Sequence, residues 1–226
     1  MKNKTFFLLA FLMLFGISAN AQDTGISFGL RGGVNMQNFN GKDLNGDKLE
    51  MSMVPRFNVG LVLGIPVAPE FYFQPGLMFS TKGAKSVSEF LGLDMAAEYN
   101  ISYIELPMNF LYKPVLGNGH FFLGFGPYVA YGLGGKAKFT IEGTSTEEKI
   151  VFANDYQSLN PYDWKHFRHL DYGANLFFGY ELKNGLSIQL NTQLGLAKIN
   201  ADNTTLTNNK SEFRNTSYGL AIGYNF

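Results

Sequence analysis

Large apolar residues recur at every second position through most of this chain, and that period is the strongest constraint on its fold. The C-terminal stretch YGLAIGYNF shows it plainly, with Tyr218, Leu220, Ile222, Tyr224 and Phe226 alternating with Gly219, Ala221, Gly223 and Asn225. Successive side chains of a strand point to opposite faces, so this is a β-strand with one bulky apolar face and one small or polar face. Seven further segments repeat the pattern: GISFGLRGGVNMQNF, RFNVGLVLGIP, FYFQPGLMFSTKG, YIELPMNFLYKP, FFLGFGPYVAYGLGG, HLDYGANLFFGYEL and GLSIQLNTQLGLA. Just ahead of YIELP, the stretch from Tyr99 to Tyr103 carries its large residues on the opposite phase, which predicts a bulge or a change of environment there.

The connections alternate in length. Residues 41–53, 83–98, 138–165 and 198–213 are long, whereas 66–70, 114–120 and 183–185 are short. Four long loops therefore fall at one end and three short turns at the other, joined by both termini because the strand number is even. Asn184-Gly185 predicts a type I′ turn, and Gly143-Thr144-Ser145 a turn within the longest loop. That loop is expected to be dispensable for folding, with KFTIEG and KIVFAND extending the barrel as a hairpin.

Polarity separates the two closed architectures that this alternation allows. A soluble barrel turns its apolar face inward, and a membrane barrel turns it outward to lipid around a polar interior. Here the apolar face alternates with Gly, Asn, Gln, Ser, Arg and Asp, a poor exterior for water but a good lining for a narrow hydrated lumen. The composition agrees, with 26 Gly, 22 Phe and 12 Tyr against a single Trp. The expected fold is all-β, an eight-stranded antiparallel up-and-down transmembrane barrel. In it, the lipid-facing final strand closes against the first and leaves no edge in hydrocarbon.

Residues 1–21, MKNKTFFLLAFLMLFGISANA, place Lys2 and Lys4 before an apolar run and end in Ala19-Asn20-Ala21. This predicts a cleaved signal peptide, leaving 22–226 as the barrel domain and the cell outer membrane as its destination. The apolar run is too short to span a bilayer as a helix. The chain has no cysteine, which excludes disulfides, thiolate metal sites and a lipid-modified cysteine at the cleavage point. Eighteen Lys and Arg balance 18 Asp and Glu, so nothing in the charge points to nucleic acid.

GLRGGVNMQNF, QPGLMFSTKG, YIELPMNFLYKP, GPYVAYGL and DYGANLFFGYEL, in this order and spacing, resemble the outer-membrane β-barrel domain family of Bacteroidetes, called porin-family or PorT-like. The resemblance covers nearly all of 22–226. It implies a fold and a location, and no catalytic residues to carry over. One branch of the family is similar to a component linked to gliding and type IX secretion. Resemblance also implies that the terminal aromatics Tyr224 and Phe226 are the signal read by the barrel assembly machinery.

Candidate chemistry centres on the inward face. Arg31, Arg56, Tyr72, Gln74, Glu105, Tyr128, Asp171 and Glu181, with Lys82, are expected to form a lumen network of ion pairs and hydrogen bonds that fills the barrel. HFRHLD offers His166, His169 and Asp171, but a strand would point the two histidines apart and no fourth ligand is evident. DLNGDKLE reads as a polar turn, because Gly46 falls too early for a calcium loop. Only His120, His166 and His169 are available as bases, and no Ser, His and acid set can be assembled from their spacing. The reading is a non-enzymatic scaffold without metal or cofactor. Its expected partners are outer-membrane lipid and lipopolysaccharide, the assembly machinery, and an unknown surface or secretion-system protein. A narrow pore for small solutes or ions is the first alternative, and a periplasmic ligand-binding barrel the second.

Overall fold

The computed structural model describes residues 25–90, 93–159, 163–206 and 209–226. The leader and its cleavage site lie outside them. Eight long strands are β1 Ser27–Lys42, β2 Val54–Ala68, β3 Phe71–Lys82, β4 Leu93–Tyr112, β5 Gly119–Ile141, β6 Leu170–Leu182, β7 Leu186–Gly195 and β8 Glu212–Asn225. Each pairs antiparallel with its neighbours in sequence. The ring closes where β1 meets β8, from Gly29 opposite Asn225 to Lys42 opposite Glu212. There the Phe226 N–H donates to the Phe28 carbonyl at 2.8 Å, so the final strand has no open edge.

The register puts the apolar face outside. Val34, Phe57, Leu77, Phe110, Phe125, Leu176, Leu190 and Ile222 are all between 49% and 59% exposed. Together with their neighbours they form a continuous apolar belt far larger than the patches of soluble monomers, and hydrocarbon is the solvent that suits it.

About 9 to 11 tilted residues cross a bilayer, yet β4 has 20 and β5 has 23. The surplus rises beyond the belt at the long-loop end. There the first part of β4 pairs with Lys85–Phe90, and the last part of β5 pairs with Thr144–Lys149. The transition is marked by a bulge: Ser102 faces Gly134 and Tyr103 faces Gly132, so Leu133 is the extra residue.

Both faces change character near this level. Along β1 the outward residues run Leu30, Val34 and Met36 and then Asn38 and Asn40, while the inward ones run Arg31, Asn35 and Gln37 and then Phe39. On β8, outward Tyr218 gives way to Thr216, Arg214 and Glu212, and inward Asn215 to Phe213. Below the switch the barrel is apolar outside and polar inside. Above it the order reverses, because water rather than lipid surrounds the wall.

The expectation of a uniformly polar interior is therefore corrected. Phe39, Tyr99, Ile101, Phe167, Ile199 and Phe213 are 0–2% exposed in an apolar core that fills the long-loop end, with Trp164 and Phe152 packed against it. Tyr99 to Tyr103 keeps the phase of the rest of β4. What changes is the polarity of the compartment it faces, and the bulge falls on the partner strand.

The 138–165 segment is more than a surface loop, since Ile150 lies in this core and Phe152 packs against it. Val151–Phe152 pairs with His166–Phe167, and Asp155–Tyr156 with Asp202–Asn203, which ties the loops across the mouth. Two turns also differ from expectation. The longest loop turns at Glu142-Gly143, both at positive φ, rather than at Gly143-Thr144-Ser145. At 183–185 only Gly185 has positive φ and its N–H donates to the Leu182 carbonyl, giving a three-residue loop in place of the type I′ turn.

Candidate functional site

The inward charges sort into three levels. The middle one is the best defined. β3 ends on Lys82, β6 begins near Asp171, and Glu105 lies midway along β4, so the three strands deliver these side chains to one height inside the ring. Lys82 Nζ is 3.0 Å from Asp171 Oδ2. It is also 3.0 Å from Glu105 Oε2, an ion-pair contact without hydrogen-bond alignment.

Lys82 is 0% exposed, Asp171 0% and Glu105 6%, so each charge must be compensated by protein. Asp171 also accepts from Tyr128 Oη at 3.2 Å and from Asn215 Nδ2 at 2.9 Å. Glu105 accepts from Gln193 Nε2 at 2.8 Å. The ammonium lies 4.3 Å from the Tyr128 ring centroid, a cation–π contact that keeps it held from the side. Gly173 makes this possible, because a Cβ there would sit 2.8 Å from the Tyr128 ring.

Below this cluster lies a polar cavity of about 70 Å³, lined among others by Arg31, Asn35, Gln37, Gln189 and Asn191. Asn191 Nδ2 donates to Asn35 Oδ1 at 3.1 Å. Buried carbonyl oxygens of Gln37, Gln189 and Asn191 have no hydrogen-bond partner among the described residues, and the cavity has room for waters to bind them. Arg31 forms its floor, 5.4 Å from the Phe177 ring centroid.

At the short-turn end Lys113 Nζ pairs with Glu181 Oε1 at 2.7 Å and lies 5.7 Å from the Tyr72 ring. Asn225 Nδ2 donates to Glu181 Oε2, joining the last strand to the same group. Tyr72 packs on a small apolar cluster of Leu111, Phe122 and Phe177, and Gln74 is buried beside it. At the opposite end Arg56 reaches over Gly83 to Glu98 Oε1 at 2.9 Å and the Tyr99 carbonyl at 2.7 Å.

All eight network residues read from the sequence therefore point inward, but they belong to separate groups rather than one network. Glu105, Tyr128 and Asp171 meet around Lys82. Arg31, Tyr72, Gln74 and Glu181 lie toward the short turns, and Arg56 stands apart. Lys113 escaped the sequence reading, although the period-two pattern from Tyr112 would have placed it inward, and Asn225, placed on the polar face of the last strand, was not read as a partner of Glu181. The ring clusters escaped it because nothing local shows which aromatic residues share a height.

Three glycines on the inward phase of β5 are covered by neighbouring groups. Gly124 is covered by the Phe177 ring, Gly126 by the β4 backbone at Met108, and Gly132 by the Phe152 ring. Gly134, which shares their period-two phase in the sequence, is turned outward by the bulge.

The histidines serve as rings. His169 is stacked between Tyr131 at 4.5 Å and Phe152 at 4.3 Å, and His166 lies on Tyr156 at 4.0 Å. His120 is far away at the short-turn end, opposite Glu181. In the first loop Asp43 Oδ1 accepts three backbone N–H groups, from Asn45, Gly46 and Asp47, as a polar turn does.

Among curated protein sequences no significant match is found. Solved structures that resemble the chain include OprG from Pseudomonas aeruginosa (14% identity, TM-score 0.46, 88% of this chain and 95% of that one). Neisserial surface protein A matches at 9% identity and TM-score 0.43, over 88% and 97%. Ail, the attachment invasion locus protein of Yersinia pestis, matches at 12% identity and TM-score 0.38, over 89% and 99%. Residues 20–201, which include seven of the eight ring strands, match the model of the outer membrane protein beta-barrel domain, and the chain belongs to that family.

Proposed function

We propose that this protein is a closed, non-enzymatic scaffold of the outer membrane, presenting its long-loop end to the cell exterior and to partners there. The observation that carries the reading is the doubly obstructed lumen. The Lys82, Asp171 and Glu105 cluster fills the barrel at one level, and the apolar core around Phe39 and Phe167 closes it above. Eight strands enclose a space that side chains can fill, whereas water-filled porins use about 16 to 18.

Export through residues 1–21 and a place among the porin-family or PorT-like barrels of Bacteroidetes belong to this reading. So does recognition of Phe226 by the assembly machinery, supported by its 78% exposure and its contact with Tyr224, ring centroids 5.0 Å apart. The dispersal of His120, His166 and His169 into two ends of the barrel supports the non-enzymatic reading.

The test is conductance of the purified monomer in planar bilayers. No reproducible unitary current is expected. A stable current that changes in Arg31→Ala or Lys82→Met would replace the scaffold with the narrow pore, whose path would run through the 70 Å³ cavity.

A further inference from the structure

The bulge at Leu133 and Gly134 does more than switch phase. It opens a notch in the outer wall of about 460 Å³, lined by Asn100, Ser102, Gly134, Lys136, Lys149 and Ile150. A Cβ placed on Gly134 would meet nothing within 4 Å, so the space extends to the surface.

Its position and charge point to one class of ligand. Immediately below it the outward face is the apolar belt, with Leu133 57% and Tyr131 50% exposed. Immediately above and beside it stand three lysines on one outward face, Lys136 opposite Lys149 and Lys138 opposite Glu147. Lys136 is paired with Glu147 at 2.8 Å, whereas Lys138 and Lys149 have no ion pair among the described residues. On β8, by contrast, the outward Arg214 pairs with Glu212 at 2.6 Å.

We propose that this notch binds the phosphorylated headgroup of an outer-leaflet lipid, with the acyl chains lying on the belt at Leu133 and Tyr131. Lys149, which lines the notch, meets the phosphate, Lys138 adds positive charge one step further up the wall, and Asn100 and Ser102 offer hydrogen bonds to the sugar or glycerol. A soluble anion would gain the charges and not the belt. A membrane lipid arrives with its phosphate at the height of the lysines and its chains at the height of the leucine, so the site selects the combination. The proposal rests on the outer-membrane reading with the long loops outside.

The test uses the full chain in neutral-lipid nanodiscs, titrated with diphosphorylated lipid A and read by native mass spectrometry. Dephosphorylated lipid A and the deacylated phosphorylated disaccharide serve as comparison probes. Retention of lipid A above both is expected. Lys138→Gln and Lys149→Gln should each weaken it about five-fold, the effect of roughly one surface charge against an anionic headgroup. Lys42→Gln, on β1, should leave it unchanged. Gly134→Trp, which fills the notch without altering charge, should also abolish retention, with heat-modifiable gel migration showing that the barrel is folded. Equal binding of the deacylated probe, or wild-type retention in the lysine variants, would overturn the proposal. Failure of the chain to enter nanodiscs would instead sink the membrane reading on which it rests.

Discussion

Lys82 Nζ lies 3.0 Å from Asp171 Oδ2 across the barrel interior, 89 residues apart in sequence, with both side chains essentially sealed from solvent. A pair this buried gives little net stability, because desolvation offsets the attraction, but losing one partner leaves the other stranded. Lys82→Met strands Asp171 and Glu105 together and should lower the unfolding free energy in lipid by about 3 to 5 kcal/mol. Lys82→Met combined with Asp171→Asn should cost less than the sum of the two single changes. Additive losses in urea titrations of the refolded barrel would mean that the pair is not coupled.

The belt boundary predicts a depth-dependent penalty on one outward face of β1. Val34 is 58% exposed in the apolar belt, whereas Asn40 lies on the same face above the switch. Val34→Arg should cost about 2 to 4 kcal/mol and Asn40→Arg close to none. Refolding both variants into lipid and comparing their unfolding free energies tests this. Similar penalties at the two positions would remove the boundary from this level.

A different consequence concerns Phe167, which packs between Phe39 at 5.9 Å and Tyr99 at 5.6 Å and is fully buried. Phe167→Ala should remove about 3 to 5 kcal/mol from the cap. The ring below it is held by its own strand pairing, so resistance of the unboiled barrel to SDS should persist while proteolysis within 150–168 accelerates. Loss of both together would show that cap and barrel fold as one unit.

The Glu142-Gly143 turn is exposed at the tip of the β5 hairpin, and its backbone is held by Glu142 N–H donating to the Asp94 carbonyl at 3.1 Å. An epitope inserted after Gly143 should leave the core residue Ile150 in place and be detected on intact cells. Detection only after the outer membrane is permeabilised would invert the proposed orientation.

The sequence by itself determined the strands, their faces and the order of the ring. A period of two assigns every side chain to one side of a strand, so Leu190 and Ile222 had to share a face, as Arg31 and Asn35 had to share the other. Alternating loop lengths then leave few ways to connect eight such strands. Height in the barrel was decided only by the tertiary structure, because it depends on the stagger between strands that are distant in sequence. That stagger brings Lys82 to Asp171 and separates both from Arg56 and Glu181. It also decides where lipid gives way to water outside, and hence why Phe39 and Phe213 fill the interior on the same strands that line it with Gln37 and Asn215 just below. The bulge at Leu133 lies beyond sequence reading for the same reason: one extra residue is defined only against the partner strand, where Ser102 and Tyr103 meet Gly134 and Gly132.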